Sequence, residues 1–516
     1  MWPAAGLLLL AYEGAVSRHT YLLRDTQIYV PLLLHERNPS LLRRDLIIGA
    51  SHLPGTVLDE LLSVAWNVSG LPLDVIHFWL LALSHLLLLG GVYVFLRAQG
   101  ADRWDAMACA SVSNLGLWLA GPRLYVLEPE AIPRAVALST AVLAVGCLAS
   151  GRRAWAAAAT AATAMVHPPT ALPLLLIVAA SVSVRVSAVV VGTGAMASLA
   201  FAWHVGYLTP EHFAVLEYRT PYVLVSKWKP AWIVDGCLYA TTAAALLFFG
   251  CRGLLSTLRW SGIALCCMAL VALPVSYLAL ERMRLGVVPV LQPLRLLLAP
   301  AVVLVLTAPY CLLAVARRSM ILGIIGFLLL FRVQLGSSPG EAVVGLFSLP
   351  AELLQFDATV IAASAAVALL VRRARWPMIR LVTVLCVTGI LLDLRESQPA
   401  PAPRAEIEAI AAWARAETPV DAVFAFPDWG QDPAPGMFRV MAERAVYVDW
   451  RAGGQVNYFP RFALEWHRRM ERQKEFFINS AAAAREGVDY LVFARAPATG
   501  KLQPFPIPEE VKALFA

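Results

Sequence analysis

Charged residues are scarce in this sequence of 516 residues: only 15% are Asp, Glu, Lys or Arg, whereas 59% are hydrophobic. A typical soluble domain is about 25% charged and 45–50% apolar. The composition therefore excludes an ordinary soluble protein, and the long apolar runs predict a polytopic, mainly α membrane protein. The net charge of +7 comes from short basic clusters between those runs, which indicates membrane topology rather than a nucleic-acid-binding face.

The eight cysteines lack the spacing of a metal site. All of them lie within or at the ends of apolar runs, and no CxxC or paired CxxC/HxxxH pattern occurs. We therefore expect neither structural zinc nor a disulfide framework. The sequence also lacks GxSxG, Walker and Rossmann motifs, so none of these signatures indicates a reaction.

About thirteen apolar stretches are predicted to span the membrane, centred near residues 9, 87, 113, 140, 160, 177, 196, 241, 270, 306, 327, 364 and 385. With the N-terminus in the cytoplasm, the inner loops carry thirteen arginines against two acids, Asp102 and Asp105, as the positive-inside rule requires. The outer side then receives the long mixed segments 18–75, 121–134, 207–231, 281–295, 336–355 and everything after about residue 395.

The composition changes after the proline-rich linker SQPAPAP, residues 397–403. RAEIEAIAAWARAE and FALEWHRRMERQKEFF have helical periodicity, whereas DAVFAF, AVYVDW and DYLVFA are typical of strands. We predict two domains: a transmembrane domain over residues 1–395, with residues 18–75 as its first outer loop, and a soluble periplasmic α/β domain over residues 396–516.

Ionisable side chains are concentrated in the first outer loop, where Asp25 is followed by Tyr29 and Pro31, and later by Arg43 and Arg44. A carboxylate held near the membrane interface can accept a proton from a hydroxyl group, and arginines can pair with phosphate oxygens. The alternative is a solvated loop whose tyrosines and arginines anchor at the level of the headgroups.

The next outer segments carry Glu128, Glu130, Arg134 and His167. The two glutamates could flank a cation, although acids at a helix-starting turn before Pro133 explain them equally well. His167 could bind a lipid phosphate or could simply be satisfied by a neighbouring helix.

The strongest candidates for binding a phosphate lie in ERMRLGVVPVLQPLRLLLAP: Glu281, Arg282, Arg284, Gln292 and Arg295. Arg295 begins a long apolar run, where a guanidinium is costly unless it finds an anion or reaches the interface. Arginines on the outer side also oppose the positive-inside trend, and a lipid-phosphate site explains their presence.

In the C-terminal tail, Arg439, Arg444 and Asp449 surround a predicted strand, and Asn457 follows in a turn. These side chains could line a cleft against the membrane face. They could also satisfy the surface and the strand ends of a small domain.

The early Asp, Tyr and Pro of the first outer loop, followed by RRDL, resemble the GT-C superfamily of polyprenyl-phosphate-sugar-dependent glycosyltransferases. PRAVAL at 133–138, MVHPPTALPLLL at 165–176, LQPLRLLLAP at 291–300 and MFRVMAERAVYVDW at 437–450 are more similar to an uncharacterised group of bacterial GT-C-like membrane proteins. The resemblance extends over most of the chain.

The resemblance implies that Asp25 is the catalytic base or a metal-associated carboxylate. Many members have a second acid beside it, whereas here Thr26 and Gln27 follow. A divalent cation, Mg²⁺ or Mn²⁺, is the one cofactor considered, with Glu128 and Glu130 as its candidate ligands. The residues expected to bind the substrate or its lipid phosphate are Arg24, Arg134, His167, Arg282, Arg284, Gln292 and Arg295.

The leading hypothesis is a membrane glycosyltransferase that acts on the periplasmic face of the bacterial inner membrane. Its partners would be a lipid-linked sugar donor, membrane lipids and a glycan, lipid or protein acceptor, with no nucleic acid. The alternatives are a transporter or flippase of lipid-linked saccharides and a non-catalytic scaffold. Transporters usually carry charged or helix-breaking residues near mid-span, whereas these spans are nearly free of charge at their centres, which favours surface chemistry.

Overall fold

The computed structural model describes residues 2–49, 56–182, 206–251, 254–319, 404–427, 430–494 and 502–506, together with positions 322 and 326. The predicted spans near residues 196, 327, 364 and 385 lie outside these residues, and so does the predicted outer segment 336–355.

The described N-terminal region is almost entirely helical because its apolar runs are long and rich in Leu, Ala and Val. Its helices are α1 (Trp2–Arg18), α2 (Thr26–Arg37), α3 (Leu46–Gly49), α4 (Leu58–Ser69), α5 (Leu73–Ala98), α6 (Arg103–Ser113), α7 (Pro133–Ala149), α8 (Arg153–Val166), α9 (Pro168–Val182), α10 (Pro210–Arg219), α11 (Pro230–Ala245), α12 (Ser256–Ser276), α13 (Val287–Leu291) and α14 (Leu298–Arg318). Short 3-10 or π turns extend several of them, and a two-stranded antiparallel hairpin, β1 (Trp118–Leu119) with β2 (Leu124–Tyr125), follows α6.

Within the described residues, four helical segments are long and apolar enough to cross a membrane: Leu73–Ala98, Pro230–Gly250, Ser256–Arg282 and Val287–Val315. They confirm the spans predicted near residues 87, 241, 270 and 306. Two shorter apolar helices, Pro133–Ala149 and Pro168–Ser181, occupy the spans predicted near 140 and 177. The chain is therefore a helical membrane protein.

The span predicted near residue 113 differs from the structure. Helix α6 ends at Ser113, and the chain then enters the hairpin. Asn114 and Gly116 end the apolar periodicity, and Gly116 adopts a φ of 68°, a left-handed conformation that glycine tolerates better than other residues. The polar and glycine residues thus convert the second half of the predicted span into a turn.

Glycines permit a close approach between α5 and α7. A Cβ atom on Gly91 would lie 2.6 Å from the backbone nitrogen of Leu143, and a Cβ atom on Gly146 would collide with the backbone oxygen of Gly91. Small residues at such a crossing let two helix backbones pack directly, which is a common way of joining helices in membranes.

The C-terminal module, residues 404–494 and 502–506, is an α/β layer. Its sheet has the order β4-β3-β5-β6, in which β3 is parallel to β4 and β5, and β5 is antiparallel to β6. The elements are α15 (Arg404–Glu417), β3 (Val423–Ala425), α16 (Ala434–Ala442), β4 (Ala445–Val446), α17 (Pro460–Phe476), α18 (Ser480–Arg485), β5 (Tyr490–Ala494) and β6 (Leu502–Pro506). The predicted helices and strands are confirmed, whereas α16, α18 and β6 were not predicted.

The module shares its hydrophobic core with the N-terminal region. One buried cluster joins Ile47 and Leu216 to Trp466 of the module, and another joins Leu33 to Phe438. The first loop, residues 18–75, is therefore packed between the membrane helices and the module. The boundary predicted at residue 395 and the periplasmic side stay predictions.

A buried ion-pair cluster fixes the same interface. The fully buried Arg439 donates from Nε to Asp45 at 2.7 Å and from Nη2 to Asp449 at 2.5 Å. Nearby, Arg44 pairs with Asp489 at 2.9 Å. The RRDL segment thus docks the first loop onto the module. Asp449 and Arg439 form buried ion pairs within this interface and do not line an open cleft.

Candidate active site

Glu130 holds the turn that precedes α2. Its Oε1 atom accepts from the backbone N–H groups of Leu23 at 3.1 Å and Arg24 at 2.8 Å, and its Oε2 atom accepts from the N–H of Thr26 at 2.9 Å. Burial first, and then the neighbouring charge of Asp25, raise the pKa of Glu130 to about 7 against the opposing effect of the amide donors. Glu130 therefore positions the backbone on both sides of Asp25.

Asp25 directly precedes α2 without capping it. Its φ and ψ are −74° and −18°, and its side chain makes no capping hydrogen bond. The carboxylate is partly buried and accepts no hydrogen bond from the part of the chain that the structure describes. Its charge raises the pKa of the Tyr29 hydroxyl, to which burial is the larger contribution. A carboxylate without a protein donor is free to accept a proton from a substrate.

Arg134 brings a positive charge to the same region. Its Nε and Nη2 atoms donate to one oxygen of Glu128 at 2.9 and 2.6 Å, and both side chains are mostly buried. Arg134 also interacts electrostatically with Asp25. The Glu128–Arg134 pair thus balances its own charge within electrostatic range of Asp25.

Arg295 contacts His167, which lies at the break between α8 and α9. The Nη1 atom of Arg295 is 3.3 Å from His167 Nε2, and His167 Nδ1 is 2.9 Å from Thr170 Oγ1. Because arginine only donates, Nε2 is the acceptor of its contact, while the backbone N–H of Thr170 also lies 3.3 Å from Nδ1. Burial, and then the charges of Arg295 and Arg134, lower the pKa of His167 to about 3. His167 is therefore neutral, and among the described residues no carboxylate forms an ion pair with Arg295.

A small cavity of about 20 Å³ lies beside Arg295. Its walls are mostly apolar, and its polar side chains include Arg295 and Gln292; the other lining residues are Pro122, Tyr222, Val223, Ser276, Leu280, Val288, Pro293 and Leu294. The Tyr222 hydroxyl interacts electrostatically with both Asp25 and Arg295. Asp25 and Arg295 thus both lie within electrostatic range of one side chain of this cavity wall, and a common site for them stays a prediction.

The C-terminal module contributes to this site through residues that the sequence did not indicate. Tyr458 accepts a hydrogen bond from Gln292 Nε2 at 3.1 Å. Arg219 is buried, donates to the backbone oxygen of Trp450 at 2.9 Å and interacts electrostatically with Asp25. Arg219 and Tyr222 lie in the predicted outer segment 207–231, which was the only sequence signal for them.

The remaining candidates contact other groups. Arg24 lies over the ring of Tyr125 at 5.1 Å and interacts electrostatically with Glu128 and Glu130, which places it at the edge of the site. Arg282 donates to the Tyr277 hydroxyl at 2.9 Å, and Arg284 lies over the Phe213 ring at 5.1 Å. None of these contacts joins Arg282 or Arg284 to Arg295.

Metal ligands are not grouped at this site in the described ranges. Among those residues, no three His, Cys, Asp or Glu side chains lie together in a way that could hold a metal ion. Glu128 is engaged by Arg134 and Glu130 by three amides, so neither fits the role of a free cation ligand. The chemistry below is accordingly assigned to side chains, and a divalent cation stays a prediction from the sequence.

The chain is similar to a family of unknown function over part of its length and to a solved structure over most of it. A family model described as a domain of unknown function, DUF6798, matches residues 405–473, within the C-terminal module. No curated protein matches the chain. Among solved structures, the chain is similar to the archaeal oligosaccharyltransferase AglB from Archaeoglobus fulgidus, solved in complex with an inhibitory peptide and a dolichol-phosphate. The sequence identity is 10%, the TM-score is 0.40, and the match covers 98% of this chain and 74% of that chain.

Proposed function

We propose that this membrane protein is a glycosyltransferase that transfers a sugar from a polyprenyl-phosphate-linked donor to an acceptor hydroxyl. One observation carries the proposal: Asp25, a carboxylate with no hydrogen-bond donor among the described residues, and Arg295, whose charge faces a neutral histidine, both interact electrostatically with Tyr222. A base and an uncompensated cation beside an apolar cavity suit a reaction in which an acidic lipid phosphate departs.

The proposed reaction assigns one role to each charge. Asp25 accepts the proton of the acceptor hydroxyl as that oxygen bonds to the anomeric carbon of the sugar. The bond between the anomeric carbon and the phosphate oxygen breaks, and its electron pair remains on the phosphate. Arg295 stabilises the phosphate that leaves, because a guanidinium can donate two parallel hydrogen bonds to it and keeps its charge at every relevant pH.

The lipid would occupy the apolar side of the site. Leu280, Val288 and Leu294 line the cavity. All three belong to helical segments that are long enough to cross the membrane. A polyprenyl chain could thus lie along these side chains while its phosphate meets Arg295. Tyr458 and Arg219 would close the site on the side of the C-terminal module.

The proposal places the site on the periplasmic face of a bacterial inner membrane, with the N-terminus in the cytoplasm and the C-terminal module in the periplasm. Reporter fusions after residue 400 should then report the periplasm, and fusions near residues 153 and 318 the cytoplasm. A cytoplasmic C-terminal module would contradict the assignment.

The decisive experiment compares Asp25→Asn with the wild-type protein after reconstitution with candidate polyprenyl-phosphate sugars. The substitution preserves the size of the side chain but removes the base, so we expect unchanged donor binding and turnover lower by about 10²–10⁴-fold. Glu36→Gln, which changes an exposed carboxylate on the same helix α2, is the matched control and should retain full turnover. Normal turnover by Asp25→Asn, or a wild-type protein that binds none of the donors, would favour a transporter or a scaffold.

A further inference from the structure

Helix α4, with the sequence LDELLSVAWNVS, carries an apolar stripe on its exposed face. Leu58 and Leu62 are buried against other residues of the first loop and against the C-terminal module. The opposite stripe consists of Leu61, Val64, Val68 and Leu71, which are 55%, 59%, 84% and 44% exposed. Their spacing of three, four and three residues places them along one side of the helix and its last turn.

The stripe is continuous with the surface of helices that the protein presents to the membrane. Helix α4 ends at Gly70, which has a left-handed conformation with a φ of 65°, and α5 begins at Leu73. Helix α5 is long and apolar enough to cross a membrane, and its Trp79 and Leu83 are also exposed. An apolar surface that continues onto a membrane-crossing helix is expected to meet the same lipid.

The other end of α4 meets a second exposed apolar surface. The N–H of Val57 donates to the backbone oxygen of Met165 at 3.1 Å, and Met165 is 57% exposed. Leu172 of the apolar helix α9 is 53% exposed. Exposed apolar residues of α5 and of the α8–α9 region thus adjoin the two ends of α4, which favours a bilayer over a local protein partner.

The polar side of α4 has the features of a helix at the lipid–water boundary. The Arg37 guanidinium lies 3.9 Å from the centre of the Trp66 ring, and Arg37 is exposed. Tryptophan is enriched at the boundary, and an arginine beside it can reach lipid phosphates. Glu60 is also exposed; it lies in the first turn of α4, four residues before Val64, and therefore at the N-terminal end of the stripe.

We propose that α4 is an interfacial helix that lies in the plane of the bilayer, with Leu61, Val64, Val68 and Leu71 against the acyl chains and Arg37 at the level of the phosphates. Its partner is the phospholipid bilayer itself. A helix of this kind buries its apolar face about 5–10 Å below the headgroups. It anchors the first loop, and therefore Asp25, at a fixed depth, whether or not the site transfers sugars.

The test measures the depth of single labels in the full-length protein in phosphatidylcholine–phosphatidylglycerol nanodiscs. An environment-sensitive fluorophore is attached to the new thiol of Val64→Cys or Val68→Cys. Wild-type protein treated in the same way gives the signal of the native cysteines, which is subtracted. Ser69→Cys is the matched control, since Ser69 is exposed but lies about 100° around the helix from Val68. Nitroxide lipids labelled near the headgroup or at the chain end, and aqueous iodide, are the quenchers.

We expect the labels at 64 and 68 to be quenched by the shallow nitroxide at least about twice as strongly as the label at 69, with weaker quenching by the deep nitroxide and by iodide. Iodide quenching equal to that of the control would overturn the proposal, because the stripe would face water. Shielding from both iodide and nitroxides would overturn it in favour of a protein partner or a second copy. Strongest quenching by the deep nitroxide would overturn it in favour of a membrane-crossing helix.

Discussion

Arg295 donates from Nη1 to His167 Nε2 across 3.3 Å, although 128 positions separate the two residues in the sequence. Burial, aided by the charge of Arg295, holds the histidine neutral, and Arg295 lines the edge of an apolar cavity. A cation that is held by a neutral partner retains its full charge for a substrate, whereas one that is held by a carboxylate does not.

Removal of the Arg295 guanidinium should weaken donor binding. Loss of a charge-assisted hydrogen bond costs about 1.5–3 kcal/mol, so Arg295→Ala should raise the donor Kd by about 10–100-fold and slow departure of the phosphate. Arg295→Lys should recover only part of both, because an ammonium lacks the two-pronged geometry. Binding measured in nanodiscs checks this, with exposed Arg461→Ala as the control. Wild-type affinity in Arg295→Ala would exclude Arg295 from the phosphate site.

Glu130 should make the stability of the protein depend on pH. Burial raises its pKa from 4.5 to about 7, so between these values the folded protein binds more protons than the unfolded chain. The contribution of Glu130 to the free energy of unfolding should therefore be complete below pH 4.5 and decline as the pH rises toward 7. Thermal unfolding midpoints over this range should show the decline, and Glu130→Gln should reduce it. The exposed Glu60→Gln should leave it unchanged; equal pH profiles for wild type and Glu130→Gln would contradict the assignment.

Arg439 should be indispensable to the interface between the first loop and the C-terminal module. Arg439→Met leaves the buried carboxylates of Asp45 and Asp449 without a cation, which should lower the free energy of unfolding by about 3–5 kcal/mol. Lys474→Ala, which removes an exposed ion pair with Glu471, should cost less than about 1 kcal/mol. Denaturant unfolding in detergent compares the two.

A triple variant tests whether unpaired buried charges cause the instability of Arg439→Met. Asp45→Asn and Asp449→Asn added to Arg439→Met should restore part of the lost stability, because no buried charge then lacks a partner. If the triple variant is as unstable as Arg439→Met, packing rather than charge dominates at this interface.

Two adjacent glycines of α5 should respond in opposite ways to one added methyl group. Gly91→Ala places a Cβ atom 2.6 Å from the Leu143 nitrogen, so the α5–α7 contact must open, at a cost of about 1–3 kcal/mol. A Cβ atom on Gly90 meets no heavy atom of the described chain within 4 Å, so Gly90→Ala should stabilise the helix by up to about 1 kcal/mol. Thermal unfolding midpoints in detergent distinguish them, and a smaller loss for Gly91→Ala than for Gly90→Ala would refute the close approach.

The sequence was most informative where a pattern is local. Apolar length alone located the membrane-crossing helices, such as α5, and periodicity located α15 and α17 of the C-terminal module. Arg295 was identified because a guanidinium is costly at the start of an apolar run, and Asp25 from its place in the first outer loop and the family resemblance; both interact electrostatically with Tyr222.

Long-range partners could not be read from those patterns. Arg44 was considered as a partner of a phosphate, and no partner was predicted for Asp45; the two pair with Asp489 and Arg439, 445 and 394 positions away. The contacts of Arg219 and Tyr458 could not be predicted because they form only when the C-terminal module packs on the outer segments 207–231 and 281–295. Arg282 and Arg284 lie near Arg295 in the sequence and were predicted to bind the same phosphate. Their guanidinium groups instead lie over the aromatic rings of Tyr277 and Phe213.

The ion pair between Asp45 and Arg439 also sets an order of events during synthesis. The two residues are 394 positions apart, so at about 5–20 residues per second the aspartate leaves the ribosome about 20–80 s before its arginine. Throughout that interval the carboxylate must remain hydrated, because no described partner other than the late-arriving module neutralises it. The turn that carries Asp25 is thus translated among the first residues of the chain, and the interface that encloses it is among the last to close.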